Sequence, residues 1–105
     1  MNIRSLLLGR RLGEVELPVN LPIETLRELV NDLPRARQLG VMVFPVKASD
    51  IAQIDTGEAD AWFIRGNRLV RRLKGQEHEY IHLGKCCYTP VNPSPHVKGL
   101  IVQVI

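Results

Sequence analysis

Aromatic side chains are scarce in this chain of 105 residues, which has one Trp, two Tyr and two Phe. A core cannot rest on so few rings, so Leu, Val and Ile must fill it. Cysteine is scarcer still. Cys86 and Cys87 are the only two and they are adjacent, which excludes the disulfide framework of a small secreted domain. Long apolar runs are missing too. The N-terminal stretch MNIRSLLLGRRLGE holds only Leu6, Leu7 and Leu8 in succession, short of the roughly 7–15 residues of a secretory signal. Nothing approaches the roughly 18 apolar residues of a membrane span. These absences predict a cytoplasmic protein with reduced thiols and no membrane partner. The chain also lacks a Walker loop, a G-x-G-x-x-G fingerprint and a G-x-S-x-G elbow.

What is present fits one α+β domain spanning residues 1–105. The apolar fraction is 45% and the charged fraction 24%, ordinary for a folded chain too short to hold a second core. Fourteen basic residues against eleven acidic ones leave a net charge of +3. That balance leans toward an anionic partner, although a small basic excess is also common on plain soluble domains.

Hydrophobic spacing lays out the elements. Residues 3–8 and the alternating Glu14-Val15-Glu16-Leu17 read as strands. Asn20 is placed to cap a helix over residues 23–33, where Ile23, Leu26, Leu29, Val30 and Leu33 share one face. Pro34 is expected to stop or kink it. Val41-Met42-Val43-Phe44 reads as a strand buried on both faces. Asp50 and Gln53 have capping-box spacing, which predicts a short helix over residues 50–55. A Pro-rich loop, TPVNPSP, precedes a last apolar strand at residues 100–105, which is expected to offer a sheet edge to a second copy. Strand, strand, helix, strand over the first third resembles the opening layout of a β-grasp domain, from which the later strands depart. The expected fold is an antiparallel or mixed sheet of five to seven strands, curled into a half-barrel and packed against one main helix.

The centre of the chain, DAWFIRGNRLVRRLKGQEHEYIHL, carries the most information. Gly66-Asn67 is a two-residue hairpin turn. It sets Arg65 opposite Arg68, Ile64 opposite Leu69, Phe63 opposite Val70, and Trp62 opposite Arg71. A second turn at Gly75-Gln76 would set Lys74 opposite Glu77, Arg72 opposite Glu79, Arg71 opposite Tyr80 and Val70 opposite Ile81, joining unlike charges. In that register HEYIH, residues 78–82, is the third strand of a meander.

HEYIH also has the letters of a zinc-peptidase site, with His78 and His82 as ligands and Glu79 as the base. On a helix the two imidazoles lie one turn apart and reach one ion. On a strand their Cα atoms are about 13 Å apart, and Glu79 faces away. The strand register therefore predicts no metal and no catalytic residue. A soft-metal site of Cys86, Cys87 and His82 meets the same objection, because adjacent strand residues point to opposite faces. The two thiols are expected to be buried and reduced.

The basic hairpin remains as the candidate site. Arg65 and Arg68, like charges directly opposite one another, are destabilising unless an anion or a distant carboxylate lies between them. With Trp62 and Arg71 as a stacking pair, these four residues form a candidate contact for nucleic acid or an acidic protein. The expected function is a small non-catalytic binding or regulatory module that associates with itself. The alternatives are a zinc hydrolase using HEYIH, and an interaction or structural subunit whose arginines serve only solubility.

Overall fold

The computed structural model describes residues 21–92 and 99–105. The two N-terminal strands read from the sequence, the cap at Asn20 and residues 93–95 of the Pro-rich loop lie outside them; the first two residues of that loop, Thr89 and Pro90, belong to β6. Within them the chain forms helices α1 (Ile23–Leu29) and α2 (Leu33–Gln38) and strands β1 (Met42–Val46), β2 (Ile51–Ala52), β3 (Ala61–Arg65), β4 (Arg68–Leu73), β5 (Gln76–Gly84), β6 (Cys87–Pro90) and β7 (Leu100–Val104). No described helix is long and apolar enough to cross a membrane.

The helix expected over residues 23–33 is two helices. Leu26 and Leu29 of α1, with Val30 just after it, are buried as their spacing requires. The chain then turns through Asn31 and Asp32. The Asp32 carboxylate accepts a hydrogen bond from the Arg35 amide at 3.2 Å and caps α2. Pro34 therefore opens a helix rather than ending one. In a first turn its missing N–H has no partner to lose.

The strands form one mixed sheet in the order β1-β7-β6-β5-β4-β3-β2. Pairing is parallel at the two ends, β1 with β7 and β2 with β3, and antiparallel between them. The sheet curls into a half-barrel. Val46 of β1, Val102 of β7 and Leu69 of β4 meet in one core, although β4 and β7 are separated by two strands. On the opposite face α1 and α2 pack Leu26, Leu29, Val30 and Ala36 against Leu83, Cys87 and Ile101.

Three further expectations give way. The last strand is not an edge, because β7 lies between β1 and β6. Among the described strands the edges are β1 and β2, and β1 is not buried on both faces along its length: Met42 and Phe44 are about half exposed, Val46 beyond them is buried in the inner core, and Val43 packs toward the helices. Pro45 extends this strand, a position that suits a residue with no ladder donor. Residues 50–55 do not form a helix. A short 3₁₀ turn (Ala48–Asp50) leads into β2, where Ile51 pairs with Trp62 and packs in the inner core. Tertiary burial of Ile51 overrides the local capping pattern.

Candidate functional site

The β3–β4 hairpin has the register read from the sequence: Arg65 opposite Arg68, Ile64 opposite Leu69, Phe63 opposite Val70 and Trp62 opposite Arg71. Gly66 at the turn has φ 64° while Asn67 does not leave the negative region, the pattern of a turn whose first central residue is Gly.

The β4–β5 turn sits one residue earlier than expected, at Lys74-Gly75. Both residues carry positive φ, 51° and 81°, as a type I′ turn requires, with Gly in the second place. Arg72 is therefore opposite Glu77, Arg71 opposite His78, Val70 opposite Glu79 and Leu69 opposite Tyr80. Every partner differs by two residues from the sequence reading, and a shift of two leaves each side chain on the same face. HEYIH is strand, within β5. His78 and His82 share a face with about 13 Å between their Cα atoms, and Glu79 lies on the other face in an ion pair. No group of three or more His, Cys, Asp or Glu side chains placed to hold a metal ion occurs among the described residues.

The alternation of the three strands sorts their side chains. One face carries Phe63, Arg65, Arg68, Val70, Arg72, Glu77 and Glu79; the other carries Trp62, Ile64, Leu69, Arg71, His78, Tyr80 and His82. On the first face the charges are joined. Arg65 forks onto Glu77 at 2.8 and 3.1 Å and reaches Asp55 at 3.4 Å. Arg72 forks onto Asp55 at 2.8 and 2.7 Å, bonds Glu77 at 2.6 Å and donates to the Glu58 carbonyl at 3.0 Å. Arg68 holds Glu79 at 2.7 Å. The carboxylates that relieve the Arg65–Arg68 opposition are thus Glu77 and Glu79 from the next strand and Asp55 from the loop before β3.

This network shifts its own acids. Hydrogen bonds from Arg65 and then Arg72 pull Glu77 from 4.5 down to about 2. Arg72, helped by the Gly57 amide, holds Asp55 well below the usual carboxylate range. Both guanidiniums are raised in return, Arg72 chiefly by Asp55 and Arg65 chiefly by Glu77. The Arg72 and Arg65 guanidiniums also lie over the Phe63 ring, at 4.7 and 5.3 Å. Phe63 beneath them is fully buried.

The second face has no carboxylate on these strands. Arg71 lies over the Trp62 indole at 5.4 Å, as the sequence pairing anticipates, and forms no ion pair among the described residues. Trp62 in turn meets Tyr80 at 5.6 Å between ring centres, and His82 meets Tyr88 of β6 at 5.0 Å. Burial pushes the Tyr80 phenol up, and the nearby Arg71 charge opposes the shift. His78 and His82 are exposed; Trp62, Arg71 and Tyr80 are half-buried. The four residues singled out from sequence therefore fall on two faces: Arg65 and Arg68 within the ion network, Trp62 and Arg71 on the aromatic side. The sequence reading missed Asp55, and it placed Tyr80 opposite Arg71 and His78 on the third strand without counting either in the site. The alternation of His78, Tyr80 and His82 along one strand was the available signal for those two.

The thiols diverge. Cys87 is buried, which pushes it up, but Cys86 is exposed in the β5–β6 turn. Lys85 and Cys86 there both take positive φ, 50° and 60°, which turns Cys86 away from the core. Comparison with known families, curated proteins and solved structures yields no match.

Proposed function

We propose that this protein is a small non-catalytic binding module that meets an anionic partner through the aromatic side of its β3–β5 meander. One observation carries the reading. The meander pairs Arg65, Arg68 and Arg72 with carboxylates on one face, and leaves Arg71 on the other face with an indole and, among the described residues, no acid. A guanidinium stacked on a ring keeps its N–H groups free for phosphate or carboxylate oxygens. Within the basic hairpin, Trp62 and Arg71 make the contact, while Arg65 and Arg68 fix the shape of the turn. A cytoplasmic setting with reduced thiols belongs to this reading and agrees with two unbridged, diverging cysteines.

Inorganic polyphosphate, which offers charge without bases or peptide, is the probe. Arg71→Ala is expected to weaken its binding and to flatten the dependence of log K on log salt by a little under one unit, as loss of one neutralised phosphate does. The Arg65→Ala, Arg68→Ala pair changes the slope less, because each removed guanidinium already has a carboxylate. Equal binding by Arg71→Ala and the parent protein overturns the reading.

Self-association is a second reading, favoured by Met42 and Phe44, 54% and 48% exposed on the edge strand β1. Contact there joins side chains rather than extending the sheet, since Pro45 offers no donor. A mass that rises with concentration in the parent but not in Phe44→Ser supports it, and a constant monomer mass removes it.

A further inference from the structure

We infer that the aromatic face binds single-stranded nucleic acid, with His78, Tyr80 and His82 as a ladder of stacking rings and Arg71 as the phosphate contact. The inference rests on the binding reading above and names its partner. The three rings occupy alternate positions of β5, so they stand on one side of one strand. Successive rings are about 6.7 Å apart, twice the strand rise of about 3.3 Å per residue. A stacked nucleic-acid strand advances about 3.4 Å per nucleotide. A strand following β5 is therefore drawn out to roughly double its stacked rise, with its bases separated and one base available to each ring. A duplex cannot be separated in this way without losing its pairing.

Charge placement agrees. Arg71 is directly opposite His78 on β4 and is held in place by Trp62. A cation thus stands beside the ladder, at the level of its first ring. The acids of the same strand, Glu77 and Glu79, point to the other face, where Arg65, Arg72 and Arg68 neutralise them. A phosphate backbone approaching the ladder meets a guanidinium and three rings, and no carboxylate of these strands. Rings without a bonding partner for the Watson–Crick edge accept any base, so binding by this face is expected to depend little on sequence.

The test compares a thymidine 12-mer with an abasic 12-mer of equal phosphate number. It is read by titration of Trp62 fluorescence, the sole tryptophan of the chain. The thymidine strand is expected to bind at least about tenfold more tightly, the gain available from a single stacked base. In the His78→Ala, His82→Ala protein, which keeps only Tyr80 of the ladder, the ratio is expected to fall but to stay above one, and an unchanged ratio overturns the ladder. Both side chains are exposed, so the variant retains the fold, which an unchanged circular-dichroism melt checks. Tyr80→Phe, which keeps the ring, is expected to keep the ratio. Equal affinity for the two oligomers overturns the ladder while leaving charge-driven polyphosphate binding intact. Failure of polyphosphate and both oligomers together removes the binding reading as well. Duplex DNA or a polyglutamate peptide binding as tightly as the thymidine strand also overturns the inference, the latter in favour of an acidic protein.

Discussion

The two faces of the β3–β4–β5 meander share one backbone and one hairpin register, yet they treat charge in opposite ways. On one face four of the six charges, Asp55, Glu77, Arg65 and Arg72, close into a single network over a buried Phe63, and Arg68 takes Glu79. On the other face a single Arg71 leans on Trp62 among aromatic rings. The first arrangement spends its hydrogen-bonding capacity internally and contributes to shape. On the second, Trp62 and Tyr80 pack partly on the inner core, while Arg71 makes no ion pair among the described residues; the binding we propose would use this face. Basic residues close together in sequence are therefore not one patch: the pleat divides them, and their partners decide which of them are free.

Substitutions on each face should separate these roles. The largest effect is expected from Phe63→Ala, which empties a fully buried site beneath Arg65 and Arg72. A loss of about 3–5 kcal/mol in denaturant unfolding is typical of such a truncation. A loss near zero would mean that the ionic face has no structural role. Next comes Arg72→Ala, which releases Asp55 and Glu77 together. Its side chain is only 13% exposed, and its unfolding midpoint should fall further than that of Arg68→Ala, whose single pair is open to water.

Acid reports the same network. Asp55 and Glu77 are both depressed, so their contribution is present above the ordinary carboxylate value. For Glu77 it fades as pH falls from 4.5 to about 2. The parent protein should lose stability across that window, and Arg72→Ala should lose less of it; identical pH profiles for the two would show that the network is not the source. The smallest stability effect is expected from Arg71→Ala, about 0.5–1 kcal/mol for one stacked cation, despite its full effect on binding.

The legible parts of the fold were those where two local signals agreed. Gly66-Asn67 marked a turn, and the pairs it generated were chemically sensible, so one register satisfied both tests. At the second turn they did not discriminate. Both Gly75-Gln76 and Lys74-Gly75 bring Arg72 opposite a glutamate, Glu79 or Glu77, and both keep HEYIH on the same faces. Turn chemistry decided the matter, because a type I′ turn takes Gly in its second position and tolerates Lys74 in its first. Asp55 was beyond local reasoning. It lies ten residues before Arg65 and seventeen before Arg72, and only the fold of the intervening loop delivers it. Pro34 and the Asp50 box failed for related reasons. A proline can begin a helix as readily as end one, and Ile51 gained more by burial against Trp62 than by a helical turn. The expectation of an edge at the last strand failed because sequence order does not determine neighbours, and β7 is enclosed by β1 and β6.

The central claim is that the faces of the meander are sorted, one closed by ion pairs and one open to a ligand. Side-chain NMR of the His78 and His82 imidazoles, the Trp62 indole, the Arg65 and Arg72 guanidiniums and the Glu77 carboxylate, during titration with a thymidine 12-mer, tests it most directly. Shifts confined to the imidazoles and the indole, with the Glu77 and guanidinium resonances unmoved, are the predicted result. Shifts concentrated on Arg65, Arg72 and Glu77, with both imidazoles silent, would contradict it.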